Sequence, residues 1–182
     1  MSTAENKTIG FHGVKDGEVF QLAGIEFIKF PDTEEGTPVV MRGIAFNSDF
    51  GSNNDLRKSR VLERMEKEIL PKIITAIGEE NVCTFKTDLT AWDGLKNYGH
   101  MESRISLPTM DFYRANVEVF DKYKVGSWWW LATPDTMQPH GEPWWTLCVS
   151  PAGILGFDYY YVRRGVRPFL ILKSSIFKSL EG

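Results

Sequence analysis

A catalytic centre needs convergent groups with paired roles, and the side chains able to supply them are scattered along this chain. His12, His100 and His140 fall in stretches that read as loops or tails, and none stands beside a Cys, Asp or Glu at the spacing of a metal motif. No glycine-rich stretch is followed by Lys-Ser/Thr at phosphate-loop spacing, and there is no G-x-S-x-G elbow. Ser59, Ser106 and Ser150 have no base close in sequence. Cys83 and Cys148 lie in apolar, strand-like stretches and read as buried, unreactive thiols, and two such cysteines do not make a disulfide framework. Asp88 with Asp93, and Glu118 with Asp121, are the carboxylates that could pair in space. Asp32, Glu34, Glu35, Asp88 and Asp93 are the acids from which a calcium site could be drawn; otherwise they are plain surface charge. Beyond that calcium no cofactor is expected, and the pattern is that of a protein without catalytic residues.

The aromatic residues carry a stronger pattern. Five of the six tryptophans, Trp128, Trp129, Trp130, Trp144 and Trp145, fall within 18 residues. In a strand, successive side chains point to opposite faces. A strand through Trp128-Trp129-Trp130 is therefore either covered on both faces or presents tryptophan outward. Trp144 and Trp145 pose the same choice. Further on, Asp158-Tyr159-Tyr160-Tyr161-Val162-Arg163-Arg164 mixes the residue types enriched at recognition hot spots. The candidate ligand-binding set is His140, Trp144, Trp145, Asp158, Tyr159, Tyr160, Tyr161, Arg163 and Arg164. The plainer reading of the Tyr-Arg stretch is a strand end with one core tyrosine.

The elements that must position these residues can be drawn from periodicity. Glu18–Phe20, Ile25–Phe30 and Val39–Phe46 read as a three-stranded meander, with Gly43 weakening the third strand. Asn54 reads as the cap of a helix with Asp55 in its first turn, and Leu56, Leu62, Met65, Ile69 and Ile73 form its apolar face. Pro71 ends or kinks that helix, and a short second piece stops at Gly78. Asn81–Lys86 reads as a strand, residues 88–103 as a long irregular loop of the kind that is either functional or packed as an Ω-loop, and Thr109 as the cap of a helix over residues 110–120. Strands follow at Ser127–Ala132, Trp144–Ser150, Ile154–Tyr161 and Gly165–Leu172, with a polar loop at 133–143. The expected organisation is one α+β domain over residues 17–172 with tails at 1–16 and 173–182.

Composition narrows the function classes. A chain of 182 residues is long enough for one self-sufficient core. Its net charge of −3 argues against general nucleic-acid binding, which needs a basic footprint. No apolar run approaches the roughly 18 residues of a membrane helix, and Met1–Gly10 shows no apolar signal segment.

Several stretches, taken in order, resemble a C-type-lectin-like family found in phages and prophages of Firmicutes. Trp128-Trp129-Trp130-Leu131-Ala132-Thr133-Pro134 resembles its WWLRSP strand, and Gly165-Val166-Arg167-Pro168-Phe169-Leu170 its closing GVRPAL strand. Cys148 to Gly153 resembles the strand and turn between them, Asn54-Asp55-Leu56-Arg57 its first helix start, and Ile105 to Thr109 with Phe112-Tyr113 the approach to its second. The family is similar to the binding proteins diversified by retroelements and, more distantly, to formylglycine-generating enzymes, whose reactive cysteine pair has no counterpart here. The resemblance implies mixed and antiparallel sheets with two flanking helices and long loops, the first strands pairing with the last, and a central Trp-rich strand. Arg167 would then be a structural guanidinium bonding loop carbonyls. It also implies a non-enzymatic virion protein, acting as a capsid decoration, fibre or receptor-binding component. Its partners would be other virion proteins or a host-surface glycan or protein, with no nucleic acid and no membrane span, and a homo-oligomer as a further partner. The alternatives are an oligomerisation or capsid-interface protein with no glycan binding, and an enzyme related to the formylglycine-generating class.

Overall fold

The computed structural model describes residues 11–178. In chain order these form β1 (Val19–Leu22), β2 (Ile25–Lys29), β3 (Thr37–Met41), β4 (Phe46–Ser48), α1 (Arg60–Glu68), α2 (Leu70–Ile77), β5 (Phe85–Asp88) and β6 (His100–Ser103). Then come α3 (Met110–Ala115), α4 (Val117–Lys122), β7 (Trp129–Pro134), β8 (Trp145–Val149), β9 (Leu155–Tyr159), β10 (Arg164–Val166) and β11 (Phe169–Leu172), with short 3₁₀ turns between. The fold is α+β. One sheet has the order β1-β2-β3-β11, a second the order β4-β10-β7-β8-β9, and β5 pairs with β6 alone.

The β1–β2 hairpin closes through Ala23 and Gly24, both at positive φ (54° and 74°), as a two-residue turn matching strand twist requires. The expected third strand is in fact two. β3 ends at Met41, and after Gly43 the backbone changes partner, with Arg42 N–H donating to Glu26 O and Ala45 N–H to Val166 O. The segment 39–46 therefore starts in one sheet and finishes at the edge of the other. The closing strand divides in the same way, because Pro168 has no N–H to continue a ladder. β10 stays beside β7 and β4, and β11 crosses to pair with β3. The pairing of the first strands with the last and the central place of the Trp-rich strand β7 are thus both present.

Helices depart from expectation at their ends. Asn54 caps nothing. Asp55 caps a 3₁₀ turn over Leu56–Lys58, and Ser59 Oγ accepts from Leu62 N–H to start α1. Pro71 sits in the first turn of α2, where its missing N–H costs nothing. The helix expected over 110–120 breaks at Asn116, whose side chain donates to Phe112 O, so α3 and α4 stand where one helix was expected. Residues 81–86 give only a bridge at Val82 before β5, and the long loop contracts to 89–99 because β6 takes its far end. His100 accordingly lies on a strand.

Part of each expected tail packs on the domain. Phe11 and Phe177 are buried and meet Phe20 with ring centroids 5.0 and 5.2 Å away, so 11–16 and 173–178 belong to the packed domain. The rest of each expected tail lies outside the described residues. Two apolar cores flank β7: Trp130 packs with Phe50, Leu56 and Met65 on one face, and Trp129 with Tyr113, Phe120 and Leu147 on the other. Among the described residues no helix is long and apolar enough to cross a membrane.

Candidate recognition surface

The tryptophan triplet is a core strand. Trp129 and Trp130 are fully buried on opposite faces, and Trp130 Nε1–H donates to Ser48 O at 2.9 Å, which satisfies its one polar atom. Trp128 is half-buried against Gly156, where any Cβ would come within 3.0 Å of its ring. None of the three presents a free stacking face.

The aromatic surface lies farther out, on β8 and β9. The hairpin turn at 151–153 is held by Ser150, whose Oγ accepts from Ala152 and Ile154 N–H. Its register sets Trp145 opposite Tyr159 and Leu147 opposite Phe157. These four therefore share a face. Leu147 is buried in the core, whereas Trp145 and Tyr159 are half-buried and Phe157 is exposed. Trp145 and Tyr159 rings are 3.8 Å apart, Trp145 and Phe157 5.4 Å edge to face, and Tyr159 stacks on Tyr161 at 5.1 Å. Phe157 is 50% exposed and Tyr161 60% exposed. β9 is the edge of its sheet, so this row borders solvent on its face and at its side.

The remaining sequence candidates divide. Trp144 is half-exposed but alternates to the opposite face from Trp145. Tyr160 is half-buried against the larger core, and its N–H donates to Trp144 O, which makes it the core tyrosine of the stretch. Asp158 and Arg164 are spent on each other: Arg164 Nε donates to Asp158 Oδ2 at 2.7 Å and its guanidinium lies over Trp128. Both are half-buried and tie β9 to β10, so they leave the recognition set. Arg163 is exposed, though one arm is held by Asn47 O. His140 is exposed and its partner is Asp93 Oδ2, at 3.0 Å, and no residue of the row. Phe157 was missed, although Phe157, Tyr159 and Tyr161 sit at a spacing of two and signal one face.

A buried node holds the two long loops beside Trp145. Asn54 is fully buried; its Nδ2 donates to Thr136 O and Trp145 O, and its Oδ1 accepts from Tyr98 O–H at 2.7 Å. Arg57 covers Tyr98 and is itself gripped by both oxygens of Asp55. Asp93 accepts from Thr136 Oγ1 and pairs with His140. Burial raises the Asp93 carboxyl, but the bonds from Thr136, His140 and Leu95 outweigh it and leave the group below its usual range. Asp135 is pushed up, by burial and then by the charge of Asp93. The Thr136 hydroxyl points at the carboxylate and not at the imidazole, so the cluster does not form a nucleophile–base pair.

No family model, curated protein or solved structure matches this chain. Both cysteines are free; Cys148 is buried in β8 and its thiol is pushed up to about 12, mainly by burial. Cys83 is only half-buried and lies outside any strand, with its thiol raised mainly by burial as well. The expected calcium acids do not close on a metal site, although Glu34, Glu35 and Asp88 border one cavity. Asp32 accepts from Thr37, Asp88 from Thr90, and among the described residues no three His, Cys, Asp or Glu gather to hold a metal. Glu118 and Asp121 show no carboxylate pairing, and Asp121 faces Lys124.

Proposed function

We propose that this chain is a non-enzymatic recognition module of a phage virion, with a C-type-lectin-like fold, that docks a host-surface glycan or protein on the outer face of β8 and β9. The observation that carries the binding part is the continuous row Phe157, Trp145, Tyr159 and Tyr161, exposed at a sheet edge and rigid because each ring is braced by the next. Such rings offer large contact area with few torsions to freeze. The virion assignment is supported only by the ordered resemblance of residues 17–172. A second reading, a homo-oligomeric or capsid interface without glycan binding, draws on the same edge. Hydrogen-bonded β8–β9 pairs recur at Ser150–Ile154 and Trp144–Tyr160, so Leu155 and Phe157 turn their backbone groups outward to the open side.

One sample decides between them. Oligomeric state by light scattering and binding to host-surface polysaccharide, followed by tryptophan fluorescence, are measured on wild type, Phe157→Ala and Tyr161→Ala. Glycan binding that both variants weaken supports recognition. Trimerisation without glycan binding, lost in the same variants, supports the interface. A monomer that binds neither host polysaccharide nor host-surface protein refutes both.

A further inference from the structure

Away from the aromatic row, a cavity of about 490 Å³ opens between the turn at 33–35, the start of α3 and the whole length of β5. Its floor is apolar, made by Phe85, Leu107, Phe112 and Phe169, and two of its rings, Phe112 and Phe169, meet edge to face at 5.0 Å. Its rim is acidic: Glu34, Glu35, Asp88 and Asp111 face a single cation, Lys86.

The wall made by β5 carries the decisive feature. β5 pairs with β6 in a register that runs on to Leu89, whose N–H donates to Gly99 O. Hydrogen-bonded pairs recur every second residue in an antiparallel ladder. The bonded positions are therefore Phe85 and Thr87, and the backbone groups of Lys86 and Asp88 point away from β6. Among the described residues neither has a backbone partner. Four consecutive β5 residues line the cavity, so this unpaired edge is part of its wall. An open strand edge is a template for another strand, and one running along an apolar trough takes an extended peptide by main-chain bonds with alternate side chains seated in the trough.

We propose that β5 is a peptide-docking edge that captures an extended segment of a partner protein, with an apolar side chain over Phe112 and Phe169 flanked by Lys or Arg. Charge complementarity fixes that chemistry: the rim offers four carboxylates, and an acidic segment would meet them with like charge. β5 spans roughly 13 Å at ~3.3 Å per residue, room for one apolar anchor with a cation on either side. This site is independent of the aromatic row.

The test is a ¹⁵N–¹H titration of the full chain with the peptide Lys-Val-Lys-Phe-Lys-Val-Lys and its Glu-Val-Glu-Phe-Glu-Val-Glu counterpart. The lysine peptide is expected to shift β5 resonances, to slow exchange of the Lys86 and Asp88 amides, and to weaken with salt. Glu34→Lys with Glu35→Lys, both on an exposed turn, should weaken binding several-fold without unfolding. Lys86→Pro should abolish it, and amide protection in wild type reads the same edge if that variant fails to fold. No shifts at millimolar peptide, equal binding of both peptides, or binding that leaves the Lys86 and Asp88 amides unprotected would overturn the proposal.

Discussion

Arg167 is a guanidinium in the core with no carboxylate against it. It is 1% exposed and lies at the break between β10 and β11, where Nε donates to Met41 O at 3.1 Å and Nη2 to Arg42 O at 2.8 Å. Its plane is 4.7 Å from the Trp129 ring centroid and 5.6 Å from that of Phe120. Those two carbonyls belong to the chain just where β3 ends, so the arginine ties the two sheets together. Burial pulls its pKa from 12.5 down to about 10, the nearby Tyr113 opposing that shift. It stays charged at neutral pH, at a cost of about 3 kcal/mol by 1.36 kcal/mol per pKa unit. Arg167→Met removes that cost but strands two carbonyls at about 1–3 kcal/mol each and loses a desolvated cation–π contact of about 2 kcal/mol. The balance is a loss of about 1–5 kcal/mol, or roughly 2–20 °C in Tm for a domain of this size. Arg167→Lys keeps a charge in the core but cannot fork to both carbonyls or stack as a plane. It should be at least as harmful at pH 7. Its depressed folded pKa means the unfolded chain binds more protons, so its stability should recover as pH rises toward the lysine range. Urea unfolding of the three proteins at pH 7 and pH 9 reads both effects. Arg167→Met within about 0.5 kcal/mol of wild type, where a surface substitution would fall, would refute this account of the sheet junction.

Asn54→Ala removes three hydrogen bonds from a fully buried side chain, and at about 1 kcal/mol each the loss is about 3 kcal/mol. Limited proteolysis should show earlier cutting in 89–99 and 135–143, and unchanged cutting would remove the node's positioning role. In thiol titration at pH 8, Cys148 should stay silent in the native protein because its thiol is buried and pushed up to about 12, and should report only in denaturant, whereas half-buried Cys83 is the thiol open to reaction in the folded state. Rapid reaction of two thiols in the folded state would contradict the burial of β8. Asp135 is raised in the fold, so the folded state holds its proton more tightly and its ionisation subtracts stability as pH rises above the usual carboxylate range. Asp135→Asn should therefore unfold at higher denaturant than wild type at pH 7 and match it near pH 3. Asp93 is lowered despite its burial, so its contribution is present above about pH 3.8 and lost as pH falls through that range. Asp93→Asn should flatten the acid limb of the stability profile.

Local pattern was enough to read the α+β class and the strands around the Trp-rich segment, whereas the burial of Trp129 and Trp130 stayed an open choice and the structural role of Arg167 came only from the family resemblance. Strands follow from alternation, a property of neighbouring residues, but whether both faces are covered depends on what packs against them. The helix ends were misplaced because capping is decided by which side chain is free to turn back on the backbone. Asn54 has the right chemistry for a cap, but it is drawn into a node with Tyr98, Thr136 and Trp145, residues that are distant in sequence. The same physics divided the recognition candidates. Asp158, Arg164 and Tyr160 are the types a binding surface uses, but two neutralise each other and the third fills the core. Phe157 joined the surface through its register with Leu147, since side-chain faces in a hairpin are set by the turn that closes it. The unpaired edge of β5 was out of reach for a further reason. Composition and periodicity identify a strand, but whether its second edge is covered depends on where every other strand goes, and only the folded chain decides that.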